Sequence, residues 1–270
     1  MTLTPPLTSL TADADHLFLR WYEPGVAEVV LANPAQRNAM SGPMTRAWAT
    51  AMAHLREQPG LRAVVVRGQG GAFCAGGDLG WLAEGGSDGV EVLSRRMSAF
   101  YADWLSITDL PVPTIAFVEG PAIGAGAAVA LACDIRWVGG SARFSVPFTR
   151  LGLHAGMGTT YLLTQAAGPA LARDLLLSSR SLDASQMLAA GIATRQLPAD
   201  EVIAETAQIA ANAPIAVRLT KQGLSPAPPS SLAEAVRWEA LAQPVTMTTA
   251  DVQEGLRAAR QRRDPVFQGR

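Results

Sequence analysis

The chain has 270 residues, of which 49% are hydrophobic and 17% charged, with a formal net charge of −1 at pH 7. This balance excludes a disordered chain and removes any global electrostatic attraction to nucleic acid or an anionic membrane. Cys74 and Cys133 lack metal-ligand spacing and read as small core residues of a reducing compartment.

The opening MTLTPPLTSLTADADH carries no basic segment followed by an apolar one, and no apolar run approaches the ~20 residues of a membrane span. The expectation is a cytoplasmic protein without a signal peptide. LFLRWY (17–22) and VAEVVLAN (26–33) read as strands around the turn signal Pro24-Gly25. NPAQRNAM is a polar loop, and the helix that follows takes Ser41 as its N-cap. LRAVVVRG (61–68) is a short β-branched run, as expected of a strand buried on both faces. A glycine-rich loop, GQGGAFCAGGDLGWL, leads to a helix from about Val90 to Thr108. VPTIAFVEG (112–120) is a third buried strand, expected to run straight into a helix of small residues, and DIRWVG and ARFSVP supply further strands. Beyond Thr159 the pattern is mainly helical, over 159–178, 184–190, 200–212, 231–241 and 248–263, with SPAPPSS (225–231) as a loop. Alternating strands and helices followed by a helical tail predict an α/β core.

Two stretches repeat one design of strand, glycines and helix: VVVRGQGGAFCAGGDL and TIAFVEGPAIGAGAAVALA. A dinucleotide fingerprint fits poorly, because Val129 stands where the third glycine is required. Neither a phosphate loop nor a nucleophile elbow is present. Taken singly, each loop reads as a tight turn with close helix packing. Taken together, they offer two backbone N–H groups, one from a loop and one from a helix start. That is the requirement of an oxyanion hole, and the helix dipole adds roughly half a positive charge at the second.

The stretches NPAQRNAM, AFCAGGDL, PTIAFVEGPAIGAGAAVALACDIR, ARFSVPFTRLGLHAGMGTTYLL, SLDASQMLAAGIATRQLP and DVQEGLRAARQRRDPVF occur in the order found in one family. The chain resembles the crotonase (enoyl-CoA hydratase/isomerase) superfamily along nearly its whole length. The resemblance implies an α/β fold built as a spiral of β-β-α turns over residues 15–200, after a flexible lead (1–14). A helical oligomerisation region (201–270) would follow, in a homotrimer or a dimer of trimers. It implies a coenzyme A thioester as substrate or ligand, a place in fatty-acid metabolism, and no tightly bound cofactor, metal, nucleic acid or membrane. By the same resemblance Gly77 and Ala125 supply the oxyanion-hole N–H groups. Ala39, Ala75, Asp78 and Leu79 line the adenine and pantetheine path. Arg37 and Arg262 face the CoA phosphates, and Phe267 packs near the adenine. Arg262 has a second reading, a solvated face within RAARQRR.

Hydration in this family resembles acid–base work by two glutamates on one water. The matching positions here hold Ala128 and Phe148, so no carboxylate stands at either wall of the acyl pocket. Some members place an aspartate on the loop after the second position, and in RLGLHAGMG His154 stands close to it. His154 reads either as an acid–base group or as a residue that fixes its loop. Trp81, Met97 and Tyr101 read either as lining of the acyl end or as core packing. The expectation is a hydratase, isomerase or thioester hydrolase that hydrates poorly; the alternative is a non-catalytic acyl-CoA-binding protein.

Overall fold

The computed structural model describes residues 16–78, 89–224 and 231–270. The expected lead, the SPAPPSS loop up to residue 230, Leu79 and Trp81 lie outside the described residues. The fold begins with β1 (Leu17–Tyr22) and β2 (Val26–Leu31), an antiparallel hairpin pairing Leu17 with Leu31 and Tyr22 with Val26. Gly25 takes φ +96° in the turn, a region that side chains rarely enter. Helix α1 (Gly42–Arg56) is capped by Ser41, whose side chain accepts from the Met44 N–H at 3.4 Å. Strand β3 (Ala63–Gly68) runs parallel to β2. Helix α2 (Val90–Leu105) ends earlier than the sequence suggests, passing into a 3-10 turn at Ser106–Asp109.

Strand β4 (Thr114–Val118) lies parallel to β3 and is buried throughout. The chain does not pass straight into the small-residue helix. A short strand, β5 (Pro121–Ile123), comes first, then α3 (Ala125–Ala132). Strand β6 (Ile135–Val138) returns to β4, and β7 (Arg143–Ser145) pairs with β5. Helix α4 (Thr159–Ser178) is broken at Gly168 (φ 74°), beside Pro169, which has no N–H for the helical ladder. Strand β8 (Ser181–Asp183) joins β7, α5 (Ala184–Ala189) begins at an Asp183–Gln186 capping box, and β9 (Arg195–Gln196) closes the large sheet beside β6. These two short strands lie in a stretch that reads as mainly helical from sequence. They are too brief to show a period of two.

The large sheet has the order β1-β2-β3-β4-β6-β9, and the small one β5-β7-β8. Cys74 forms an isolated parallel bridge with Ala122 of β5, so the segment after β3 also reaches the small sheet. The turns after β3, β4 and β6 therefore each give a strand to the large sheet, an extended segment to the small one, and then a helix. That is the expected spiral. The large sheet is buried on both faces: Val64 and Val66 join one core cluster, Ala63 and Val65 the other. An unbroken apolar run follows from that geometry, since alternate side chains enter different cores. In the first core the stacked rings of Trp48 and Trp104 lie 4.7 Å apart, and Trp104 Nε1 donates to Thr45 at 3.0 Å.

Helix α6 (Val202–Ala210) covers the second face of the sheet. A helix unanticipated from sequence, α7 (Pro214–Leu224), follows. Its first residue is a proline, which reads as a breaker yet suits the first helical turn, where no intrahelical N–H is needed. Lys221 of α7 ties this segment to the core, 2.7 Å from Asp134 and donating to the Val112 carbonyl at 2.8 Å. Helices α8 (Leu232–Met247) and α9 (Ala250–Gln261) complete the tail, and α8 buries none of its residues within the chain. Phe117, 1% exposed in the second core, should make that face indispensable. Phe117→Ala is expected to lower unfolding free energy by ~3–5 kcal/mol, read as a drop in the urea midpoint. An unchanged midpoint would mean the second core adds nothing to stability.

Candidate active site

Three segments converge at the C-terminal ends of β2, β3 and β4. The polar loop after β2 is stitched to the glycine-rich loop after β3 through Asn38, which has no exposed surface. Its Nδ2 donates to the carbonyls of Ala72 (2.7 Å) and Gln69 (2.9 Å), while Oδ1 accepts from the Asn33 N–H at 2.8 Å. Backbone bonds extend the seam: Ala75 N–H donates to the Arg37 carbonyl at 3.0 Å, and Met40 N–H to the Gly76 carbonyl at 2.8 Å. Asn38 is the organising residue that the sequence reading passed over. Its one signal was an amide side chain with left-handed φ tendency next to the apolar Ala39-Met40.

The glycine loop then meets the start of α3. Gly76 has φ +91°, and a β-carbon there would stand 2.6 Å from the Ile123 carbonyl oxygen and 3.3 Å from the Ala125 nitrogen. A β-carbon at Gly126 would overlap the Cys74 carbonyl. Only glycine admits both approaches. Neither the Gly77 nor the Ala125 N–H has a hydrogen-bond partner among the described residues. For Ala125 the cause is general, because the first N–H groups of a helix have no acceptor in their own helix. Ala75, Gly77, Asp78, Gly124 and Ala125 are half-buried, whereas Cys74, Gly76 and residues 126–128 are closed off. Two free donors thus sit on an accessible strip along a buried seam, where a carbonyl or anionic oxygen can take both.

Phe148 also borders this strip. Its ring reaches to within 3.8 Å of the β-carbon position of Gly124 and packs on the core cluster that holds Ala128. Ala128 itself is fully buried. His154 is exposed, with Nδ1 at 2.7 Å from the Ala155 carbonyl. Cys74 and Cys133 are both buried, and burial pushes each thiol up to about 12, so neither offers a thiolate near neutral pH.

The structure brings Arg37, Ala39, Ala75, Gly77, Asp78, Ala125 and Phe148 to one place. It does not bring Arg262 or Phe267 there within one chain. Phe267 lines a cavity of about 610 Å³ with Pro113, Ile135, Ala213 and Val217, at the opposite end of β4 from the strip. Its carbonyl accepts from Arg62 Nη2 at 2.9 Å. Arg262 ends α9 in left-handed conformation (φ 54°), with an exposed guanidinium that makes no hydrogen bond among the described residues.

The chain matches the family model described as enoyl-CoA hydratase/isomerase over residues 22–270. It belongs to that family, and so to the crotonase superfamily. A putative enoyl-CoA hydratase of Thermus thermophilus is 35% identical to it, over 90% of this chain and 97% of the relative. A probable enoyl-CoA hydratase of Mycobacterium tuberculosis is 37% identical over 72% of this chain and 73% of the relative. Among solved structures, the enoyl-CoA hydratase of Bacillus anthracis superposes with a TM-score of 0.87 at 29% identity, covering 94% of this chain and 100% of that one. A putative enoyl-CoA hydratase/isomerase of Mycobacterium abscessus gives 0.89 at 27% identity, with coverage of 94% and 100%. Among the described residues no helix is long and apolar enough to cross a membrane.

In this crotonase-family chain the C-terminal tail is held by two carboxylates, and Glu254 Oε1 accepts from the Val266 N–H at 3.2 Å. Asp251, 2% exposed, accepts from the N–H groups of Gln268 and Gly269 at 2.7 Å each. Hydrogen bonds to a charged acceptor are worth ~1.5–3 kcal/mol each, so Asp251→Ala should free the segment that carries Phe267. Amide exchange at Gln268 and Gly269 is expected to quicken by about tenfold or more. Unaltered exchange would show that the remaining contacts of the tail, among them Arg62 and Glu254, suffice.

Proposed function

We propose that the protein binds an acyl-coenzyme A thioester with its carbonyl oxygen between the Gly77 and Ala125 N–H groups, stabilising the oxyanion or enolate that develops there. The observation that carries this reading is the glycine-only approach of the 75–77 loop to the start of α3, which leaves two partnerless donors on an accessible strip. Each such donor is worth on the order of 100-fold in rate when charge accumulates on the oxygen. Arg37 beside the strip, and the free guanidinium of Arg262 together with Phe267 from a neighbouring copy, would hold the phosphates and adenine. The unburied helix α8, with Leu232 81% and Leu241 72% exposed, is where we place the contact between copies in a trimer or dimer of trimers.

The reaction is not efficient hydration. A water must be flanked by an acid and a base, and the two positions hold a closed-off methyl group and a phenyl ring. The exposure of His154 and its contact with Ala155 favour the loop-fixing role over acid–base work. These same features support the second reading, an acyl-CoA-binding protein without turnover.

Isothermal titration with a panel of acyl-CoAs is the direct test. Saturable binding is expected, with roughly tenfold weaker affinity in Arg262→Ala for the loss of one charge-assisted phosphate contact. Absence of binding to every acyl-CoA would overturn both readings. In an absorbance assay, crotonyl-CoA hydration is expected to run at least ~100- to 10,000-fold below that of a hydratase with both carboxylates, since each positioned group supplies that much. Brisk hydration would mean that a carboxylate from elsewhere reaches the water.

A further inference from the structure

The loop that leaves Phe148 meets a protic side chain that the foregoing leaves without a task. Tyr101, on α2, is half-buried and packs on the core cluster that includes Ala128, the same cluster on which Phe148 rests. Its hydroxyl has no hydrogen-bond partner among the described residues. It is not among the orphaned polar atoms closed off from solvent, so it stands as a free donor that an acceptor from outside the chain can reach. A ring serving only to pack would do as well without the oxygen.

The oxygen is also deliberately accommodated. It lies over Gly156, so close that a β-carbon there would overlap it. Gly156 is not among the residues with positive φ, so its backbone does not demand glycine. The empty space does. Gly156 belongs to the loop that leaves Phe148 and folds back on it, with the Leu153 N–H donating to the Phe148 carbonyl at 2.9 Å. Tyr101 and Phe148 therefore border the two ends of one loop, and Phe148 touches the start of the donor helix at Gly124. His154, on the same loop, is turned to solvent.

We propose that the Tyr101 hydroxyl donates a hydrogen bond to an acceptor oxygen carried on the acyl chain beyond the thioester, making Tyr101 a specificity-determining residue for oxygenated over plain alkyl thioesters. The inference rests on the reading of the site as an acyl-CoA site. It supplies a polar contact on a wall that otherwise offers a buried methyl and a phenyl ring, where an oxygenated chain would be poorly solvated.

The test compares acetoacetyl-CoA, whose 3-oxo group only accepts, with butyryl-CoA by isothermal titration. The unmodified protein is expected to bind acetoacetyl-CoA about three- to tenfold more tightly, the worth of one neutral hydrogen bond. Tyr101→Phe should erase that preference and leave butyryl-CoA affinity within about twofold, because a single partnerless oxygen is removed. Gly156→Ala, which displaces the hydroxyl without deleting it, should erase it too. A preference that persists in Tyr101→Phe, or equal binding of the two thioesters by the unmodified protein, overturns the assignment. Failure of both thioesters to bind would instead remove the acyl-CoA reading on which it stands.

Discussion

Everything at the site depends on one backbone-to-backbone approach. The segment from Cys74 to Gly77 lies against the first turn of α3 so tightly that neither Gly76 nor Gly126 has room for a side chain. Sheet-like bonds hold the same segment on both sides: Cys74 N–H donates to the Pro121 carbonyl at 3.0 Å, and Ile123 N–H returns to the Cys74 carbonyl at 2.9 Å. This pairing uses both backbone groups of Cys74, while the donors at Gly77 and Ala125 have no partner among the described residues. A pair of unsatisfied N–H groups would be a defect in a closed core. On a half-open strip they remain open to an acceptor from outside the chain.

The rigidity needed to hold two donors in register comes from the sheet behind them. Both faces of the sheet are buried, so β3 and β4 cannot shift against one another without disturbing two cores. At the hairpin edge this sheet even encloses a charge. Glu28, 1% exposed, is met by Arg20 and Arg67 at 3.4 Å each and by the Tyr22 hydroxyl at 2.9 Å. Burial together with the Glu28 carboxylate holds the Tyr22 phenol above its usual range. A carboxylate withdrawn from water needs such company, and removing one partner would leave it uncompensated.

Residues 128 and 148 are an alanine and a phenylalanine, and beside them the approach that frees the two donors is complete. Under the proposed reading, a donor pair without a carboxylate beside it separates two tasks, polarising a carbonyl and moving a proton. The first needs only backbone geometry, and a fold that creates it through glycine contacts keeps it whatever side chains line the pocket.

The glycines at 76, 124 and 126 and the β-branched runs at 63–68 and 114–118 could all be read from the chain, because each is a local property of residue type and spacing. So could the α/β class and the helix starts at Ser41 and Val90. Strands of two or three residues, at 121–123, 181–183 and 195–196, were not legible, since nothing but a partner strand makes such segments extended. The helix after Pro214 was hidden by a residue that breaks helices everywhere except in their first turn. Only the tertiary structure decided which donors stay free, because that depends on which carbonyls the neighbouring loop consumes. It alone turned His154 outward onto Ala155, closed Ala128 into the core, and set the Tyr101 hydroxyl over Gly156. Residue type states what a side chain can bond, and packing of distant segments determines whether a partner is within reach.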